Sequence, residues 1–254
     1  MAAPAVETKI FTAIGLDFET GGLDCNRCAC TQISVQAIRL DTLEIFDSYV
    51  AYISPYHKQD IGAMKRKVLK TKHELQQPSE RMDYEQVALD YSNTTMDTLI
   101  NLGADMKEVA TKIIDFAKHS ALSKGVQCRP VLIGQNITFD VGFLQQLMNY
   151  AGLVREFEKV FAGKKDFYGN FQPHYIDTID LARLTFAANP DVTSYKLELI
   201  AEHFGFVLDD AHDAAADVSA TLDIVRICSN RLRNNDSGVT GLSQKEKIRD
   251  HFKI

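Results

Sequence analysis

The sequence has little of what would attach a protein to a membrane or direct it out of the cell. No run of apolar residues approaches the about 20 that are needed to cross a bilayer. The first residues, MAAPAVETKIFTAIG, have no basic flank followed by a long apolar stretch, so we expect no secretory signal. These absences predict a cytoplasmic protein with no membrane partner.

Disulfide frameworks and excess positive charge are also missing. Five cysteines, an odd number, in 254 residues do not make a disulfide framework, so we expect reduced thiols. The net charge of −6 argues against a protein that coats nucleic acid through bulk electrostatics. It is compatible with a protein that binds a few nucleotides at a local site.

The distribution of apolar residues predicts one α/β domain with a mixed sheet over residues 1–233. Three strands come first and form an antiparallel meander, at 9–19, 31–40 and 44–53. Helices and strands then alternate, with helices near 95–102 and 105–122, a strand at 129–136 followed by a helix, a strand at 174–178, and helices at about 179–187, 195–204 and 213–232. The polar, mostly basic segment 57–81 predicts a helical surface insertion. Residues 234–254 predict a flexible linker and a short C-terminal tail.

Two acids near the end of the first strand form a candidate metal site. Asp17 and Glu19 are two residues apart, so they project from the same face of a strand, just before Gly21 and Gly22. With no Lys or Arg nearby in the sequence, the two carboxylates repel each other and favour a cation between them. Oxygen ligands of this kind suit Mg²⁺ or Mn²⁺. Taken alone, such a pair is more often plain surface charge.

Two later segments add further acids. Thr138 is placed as an N-cap with Asp140 in the first helical turn, and Asp213 is placed as the N-cap of an alanine-rich helix that carries Asp217 one turn in. His212 then lies in the loop before that helix, where its ring is free to turn toward a site around Asp217. Each residue alone has a plain alternative, as a solvated first-turn acid or an exposed loop histidine. The joint pattern arises by chance far less often.

Together these segments resemble the three motifs of the DEDDh 3′–5′ exonucleases. That family includes the proofreading subunit of bacterial DNA polymerase III and ribonuclease T. DFETGGL resembles the first motif, NITFD the second, and HDAAAD the third with its H-x4-D spacing. A second subfamily has tyrosine four residues before the last acid, where this chain has Asp213, so the histidine class is indicated. The resemblance implies a ribonuclease H-like fold with a five-stranded mixed sheet flanked by helices.

The resemblance also assigns roles to residues. The implied ligands of two Mg²⁺ (or Mn²⁺) ions are Asp17, Glu19, Asp140 and Asp217. His212 is the implied general base, because an imidazole with a pKa of about 6.5 accepts a proton near neutral pH. The implied contacts to the terminal nucleotide are Thr20, Gly21, Gly22, Leu23, Asn136 and Phe139. Asp177 is expected to cap the helix that follows it, and Gln135 departs from the His that many members have there.

The implied function is a 3′–5′ exonuclease that acts on the single-stranded or frayed 3′ end of DNA in proofreading or repair and releases nucleoside 5′-monophosphates. A DNA polymerase is a candidate partner. An exoribonuclease of the same fold is an open alternative, since the motifs do not distinguish deoxyribose from ribose. A nuclease-fold module that only binds nucleic acid or a polymerase is another alternative, and the intact acid set with His212 argues against it.

Two features fall outside the motifs. Cys25, Cys28 and Cys30 could bind zinc as part of an interaction protein, but no second cysteine knuckle exists, so we favour the carboxylates as the metal site. The basic residues of segment 57–81 form either a solvated helix face or a guide for the substrate strand, namely Lys58, Lys65, Arg66, Lys67, Lys70 and Lys72.

Overall fold

The computed structural model describes residues 8–58, 80–206, 208 and 213–234. Its strands are β1 (Thr12–Thr20), β2 (Cys30–Arg39), β3 (Ile45–Tyr52), β4 (Val131–Gly134), β5 (Gly163–Lys165), β6 (Phe171–Pro173) and β7 (Tyr175–Asp177). A five-stranded sheet has the order β3-β2-β1-β4-β7, and β5 and β6 form a separate hairpin.

The sheet is mixed, as the sequence predicts. Strand β1 pairs antiparallel with β2, which pairs antiparallel with β3, so the predicted meander is confirmed. On its other edge β1 pairs parallel with β4, and β4 pairs parallel with β7. The C-terminal ends of β1, β4 and β7 therefore lie at the same end of the sheet, where ligand sites of α/β folds are commonly found.

The helices cover both faces of the sheet. They are α1 (Gln86–Tyr91), α2 (Met96–Leu102), α3 (Met106–Ser120), α4 (Thr138–Ala151), α5 (Val154–Val160), α6 (Thr178–Thr185), α7 (Leu197–Phe204) and α8 (Ala214–Asn234). A large apolar core joins one face of the sheet to α3, α4 and α5, and a smaller one joins the other face to α8. Helices α6 and α7 pack against α8 through a third apolar cluster.

Alternation along β1 divides its side chains between these two cores. Ile14, Leu16 and Phe18 are buried in the core with α3 and α4, whereas Ala13 packs in the core with Val218 of α8. Because successive residues of a strand point to opposite faces, Asp17 and Glu19 share the α8 face with Ala13. The apolar sequence of β1 thus directs its two carboxylates toward the start of α8.

Gly15 brings α8 close to this face. A β-carbon at this position would lie 3.0 Å from Val218 Cγ1 and 3.1 Å from Leu222 Cδ2. Only hydrogen fits without displacement of these two side chains. The glycine therefore sets the short distance between the strand and the helix that carry the acids.

One local prediction is wrong. Thr138 is the first residue of α4 and not its N-cap; Ile137 holds the cap position without a side-chain hydrogen bond. The chain already turns before Thr138, since Asn136 has a φ of 52° and Phe139 N donates to Asn136 O at 3.0 Å. Ile137 is fully buried beside Gly134 and already has helical backbone angles (φ −54°, ψ −21°), so the helix begins one residue earlier than predicted.

Several predictions fall on residues that the structure does not describe. These are His212, most of the basic insertion (residues 59–79) and the tail beyond residue 234. Among the described helices, none combines the length and the apolar character that a bilayer crossing requires.

Candidate active site

Three carboxylates from two elements meet at the C-terminal end of β1. Single oxygen atoms of Asp17, Glu19 and Asp217 all lie within 4.8 Å of one another. The strand alternation supplies the first two, and the first turn of α8 supplies the third. Asp213, predicted as the cap of that helix, accepts a hydrogen bond from Ala216 N at 3.3 Å. The structure therefore brings together Asp17, Glu19 and Asp217, three of the four acids that the motif resemblance implies.

Asp140 joins them from the first turn of α4 and is 3 % exposed. Its Oδ1 accepts a hydrogen bond from Phe18 N at 3.0 Å, at the residue between Asp17 and Glu19. This bond attaches α4 directly to the strand that bears the other acids. All four acids named by the motif resemblance line one groove.

The electrostatics of the cluster favour a cation. Burial, followed by repulsion from Asp217 and Asp213, raises the pKa of Asp17 to about 8. Burial and repulsion from Asp17 raise the pKa of Glu19 to about 8, and burial with repulsion from Asp17 raises the pKa of Asp140 well above its usual value. Carboxylates that hold protons so strongly without a counter-ion are matched to hard divalent cations, which prefer oxygen ligands.

The groove has a volume of about 950 Å³ and passes over the four acids. Of the predicted nucleotide contacts, it is lined by Thr20, Gly22, Leu23, Asn136 and Phe139. Leu23 is 85 % exposed, so an apolar side chain projects beside the acids. Gly21 lies behind the lining, where its N–H donates to Ala29 O at 2.8 Å.

A further carboxylate, that of Asp177, supports the groove from outside its lining. Asp177 Oδ1 accepts hydrogen bonds from Ile179 N at 2.9 Å and from Asn136 N at 3.2 Å. The first bond confirms the predicted cap of α6. The second fixes Asn136 in its left-handed conformation beside the acids.

Sequence reasoning missed two walls of the groove. One is α1 with the residue before it, which contributes Glu85, Val87, Ala88 and Tyr91. The other is formed by α6 and the segment before α7, which contributes Ile179, Arg183 and residues 193–198. One feature could have indicated the first wall, namely an apolar residue on the exposed face of a helix. Val87 is such a residue and is 81 % exposed. Without the fold, that signal cannot be assigned to a groove.

The cysteines do not form a metal cluster among the described residues. In that part of the chain, the one group of His, Cys, Asp and Glu with metal-ligand spacing is Asp17, Glu19 and Asp217. Cys28 Sγ lies 3.8 Å from Glu85 Oε1, and Cys30 Sγ lies 4.0 Å from Phe143 O. The carboxylates are therefore the candidate metal site.

Comparisons with known proteins agree with the motifs. Residues 104–225 match a family described as exonuclease (RNase_T). A PolC-type DNA polymerase III from Clostridium perfringens is 24% identical over 221 residues, which cover 85% of this chain and 11% of the relative. The corresponding polymerase of Pediococcus pentosaceus is 26% identical over 156 residues, which cover 61% of this chain and 9% of the relative.

Solved structures of exonuclease I share the fold. Escherichia coli exonuclease I in complex with a dT13 oligonucleotide aligns with a TM-score of 0.58 and 19% identity, covering 88% of this chain and 42% of that one. Exonuclease I from Methylocaldum szegediense aligns with a TM-score of 0.56 and 21% identity, covering 88% and 41%. The chain thus spans about a tenth of the curated relatives and about two fifths of these solved chains. The chain thus shares its α/β fold and five-stranded mixed sheet with exonuclease I, and residues 104–225, which carry the second and third motifs, are similar to the exonuclease family.

Proposed function

We propose that this chain is a divalent-metal-dependent 3′–5′ exonuclease. In this proposal it hydrolyses phosphodiester bonds from the single-stranded or frayed 3′ end of DNA and releases nucleoside 5′-monophosphates, in proofreading or repair. The observation that carries the proposal is the convergence of Asp17, Glu19, Asp140 and Asp217 from three elements at one groove. A module that only binds nucleic acid has no need of four mutually repelling acids.

The four carboxylates fit a pair of Mg²⁺ or Mn²⁺ ions. They offer oxygen ligands, carry matching negative charge, and lie in an environment that raises the pKa of three of them. When bound, two such ions stabilise the attacking and leaving oxygens of an in-line displacement at phosphorus. Asp17 and Glu19 would hold them from the strand, and Asp140 and Asp217 from the two helices.

Other residues would bind the nucleotide and move the proton. We propose His212, the sequence neighbour of Asp213, as the base that takes a proton from the attacking water. Thr20 Oγ1 donates to Gly22 O at 2.8 Å, which fixes the turn that presents Leu23. The exposed Leu23 would separate the terminal base from its neighbour, and Phe139 and Asn136 would contact the same nucleotide.

DNA is the favoured substrate. The curated relatives are DNA polymerases, and a solved structure with this fold was determined with a thymidine oligonucleotide. Those proteins are much longer than this chain. We therefore keep a polymerase partner as part of the proposal, together with a cytoplasmic location. RNA trimming is the alternative that the same assay distinguishes.

The test uses 5′-end-labelled single-stranded DNA and RNA of the same sequence, with Mg²⁺ or Mn²⁺. We expect a ladder of single-nucleotide losses from the 3′ end of DNA. Asp17→Asn, which keeps the size of the side chain, should abolish it. The matched control is Asp47→Asn, which changes an exposed acid of the same sheet outside the groove. Internal cleavage, or full activity of Asp17→Asn, would contradict the proposal, and faster loss from RNA would reassign the substrate.

A further inference from the structure

The wall formed by α6 and the segment before α7 carries a cation stacked on an aromatic ring. Arg183 Cζ lies 5.5 Å from the ring centroid of Tyr195, and both side chains line the groove. Neither residue belongs to the three motifs. The pair therefore adds a chemical feature to the groove that the metal site does not explain.

Charge is distributed unevenly around the groove. Among its described lining residues the cations are Arg183 and Lys196, both on this wall, and the acids are Asp17, Glu19, Glu85, Asp140, Glu198 and Asp217. A phosphodiester strand is repelled by the acids and attracted by the cations. Among the described residues, the α6–α7 wall is thus where the groove offers positive charge to a backbone that extends beyond the metal site.

The wall is held in place by partly buried hydrogen bonds. Gln135 Nε2 donates to Tyr195 O at 2.6 Å, and Thr178 Oγ1 donates to Gln135 Oε1. Thr178 is fully buried at the start of α6. Gln135 therefore ties the end of β4, the start of α6 and the Tyr195 segment together, which fixes the ring against which Arg183 packs.

The Arg183 guanidinium retains capacity to bind a ligand. Its Nη1 lies 3.2 Å from Asp180 Oδ1, and the two side chains are 61% and 71% exposed. Such an exposed pair one turn apart on a helix holds its partners weakly. A guanidinium has five N–H donors in a planar fork that matches phosphate oxygens, so several remain for an anion.

We propose that Arg183 binds a phosphate of the substrate strand on the 5′ side of the scissile bond, with Tyr195 holding the guanidinium in position. This inference rests on the proposed exonuclease function. An exonuclease that removes one nucleotide has only the leaving nucleotide on the 3′ side of the scissile phosphate. Any additional phosphate contact in the groove therefore lies on the 5′ side.

The test compares substrate length and salt dependence. Wild type, Arg183→Gln, Arg183→Lys and Arg226→Gln are assayed on thymidine oligonucleotides of two to eight residues without a 5′-phosphate. Arg226 is the control because it forms the same kind of helical ion pair, with Asp223 at 2.8 Å, outside the groove, although its Nε also donates to Leu43 O at 3.0 Å. Thermal melting of each variant verifies folding.

For Arg183→Gln we expect KM to rise about tenfold on the longest substrate and much less on the dinucleotide, with a smaller change in kcat. The slope of log kcat/KM against log salt should become shallower by about 0.7, the value for one lost phosphate contact on a single strand. Arg183→Lys should keep the slope of wild type, because the charge remains. Arg226→Gln should match wild type throughout.

An unchanged slope in Arg183→Gln, or an equal loss on every length, would overturn this inference while the wild-type enzyme still degrades DNA. A wild-type protein that degrades no length of oligonucleotide would instead refute the proposed function itself. The two failures are therefore distinguishable in one experiment.

Discussion

Gln32 of β2 holds Asp213 at the start of α8. Its Nε2 donates to Asp213 Oδ1 at 3.0 Å, while its Oε1 accepts a hydrogen bond from Ala214 N at 3.3 Å. Gln32 is 4% exposed and is the antiparallel partner of Glu19. One buried amide thus connects the strand pair that bears Glu19 to the helix that bears Asp217, and it directs the Asp213 carboxylate toward a neutral donor.

We predict that Gln32→Glu weakens both the fold and the metal site. The new carboxylate loses the donor and faces Asp213, which should cost about 1–3 kcal/mol in the free energy of unfolding at neutral pH. The cost should shrink as pH falls, because the introduced carboxyl group can donate a hydrogen bond again once it is protonated. Denaturant unfolding measures the first effect, and the Mg²⁺ concentration that gives half-maximal activity should rise.

Gln36→Glu is the control for this prediction. Gln36 lies on the same face of β2 and donates to Ser219 Oγ of α8 at 2.8 Å, in a more exposed position. The same substitution there should cost much less. Equal costs at the two positions would contradict a special role for Gln32.

The stability of the metal-free protein should fall as pH rises. In the folded protein the pKa of Asp17 is raised from 3.8 to about 8 and that of Glu19 from 4.5 to about 8. The native state therefore holds protons that the unfolded state has released between about pH 4 and pH 8. The stabilisation is complete below about pH 4 and is lost as pH rises through about 8, at about 1.4 kcal/mol per pH unit for each such proton.

Thermal melts in a chelator across pH 5–9 measure this dependence. Mg²⁺ should raise the melting temperature most at the alkaline end, where the carboxylates are charged. Asp17→Asn should be more stable than wild type in the chelator at high pH and should lose the Mg²⁺ effect. A melting temperature that is independent of pH in wild type would contradict the prediction.

Asp140 should tolerate loss of its charge better than loss of its hydrogen bond. Asp140→Asn keeps an oxygen acceptor for Phe18 N, whereas Asp140→Leu leaves that buried N–H without a partner. We expect Asp140→Leu to be about 1–3 kcal/mol less stable than Asp140→Asn. Both should lose nuclease activity by about 100-fold or more, because each removes a proposed metal ligand. Equal stability of the two variants would show that the Phe18 bond is dispensable.

Gly15→Ala should impair the site without touching an acid. Its β-carbon would contact Val218 and Leu222, which pushes α8 away from β1 and separates Asp217 from Asp17. We expect a higher Mg²⁺ requirement and a destabilisation of about 1–3 kcal/mol. The double variant with Val218→Ala should recover part of both losses. A Gly15→Ala protein with the metal response of wild type would show that α8 has room to shift.

The sequence was sufficient for the strands of the main sheet and for most helices, because each depends on local spacing. The set of four acids came from the motif resemblance, and in the structure all four line one groove. Period-two alternation places Asp17 with Glu19, and cap chemistry places Asp213 and Asp177 before their helices. The walls of the groove could not be found in this way. Val87 and Arg183 are ordinary exposed residues in the sequence, and their proximity to the acids depends on how α1 and α6 pack. Thr138 was misplaced because α4 begins one residue earlier than capping rules suggest, with the buried Ile137 at the cap position and no side-chain cap.

All nine residues of β1 are buried or half-buried, so a substitution at any of them would disturb a contact. One side of the strand fills an apolar core, and the other supports α8 and carries the charge. The sequence of this strand is thus constrained by packing on one side and by the acidic site on the other. Under the proposed function, variants with altered substrate preference should change at exposed groove residues such as Leu23, Val87 and Arg183, while β1 stays nearly unchanged.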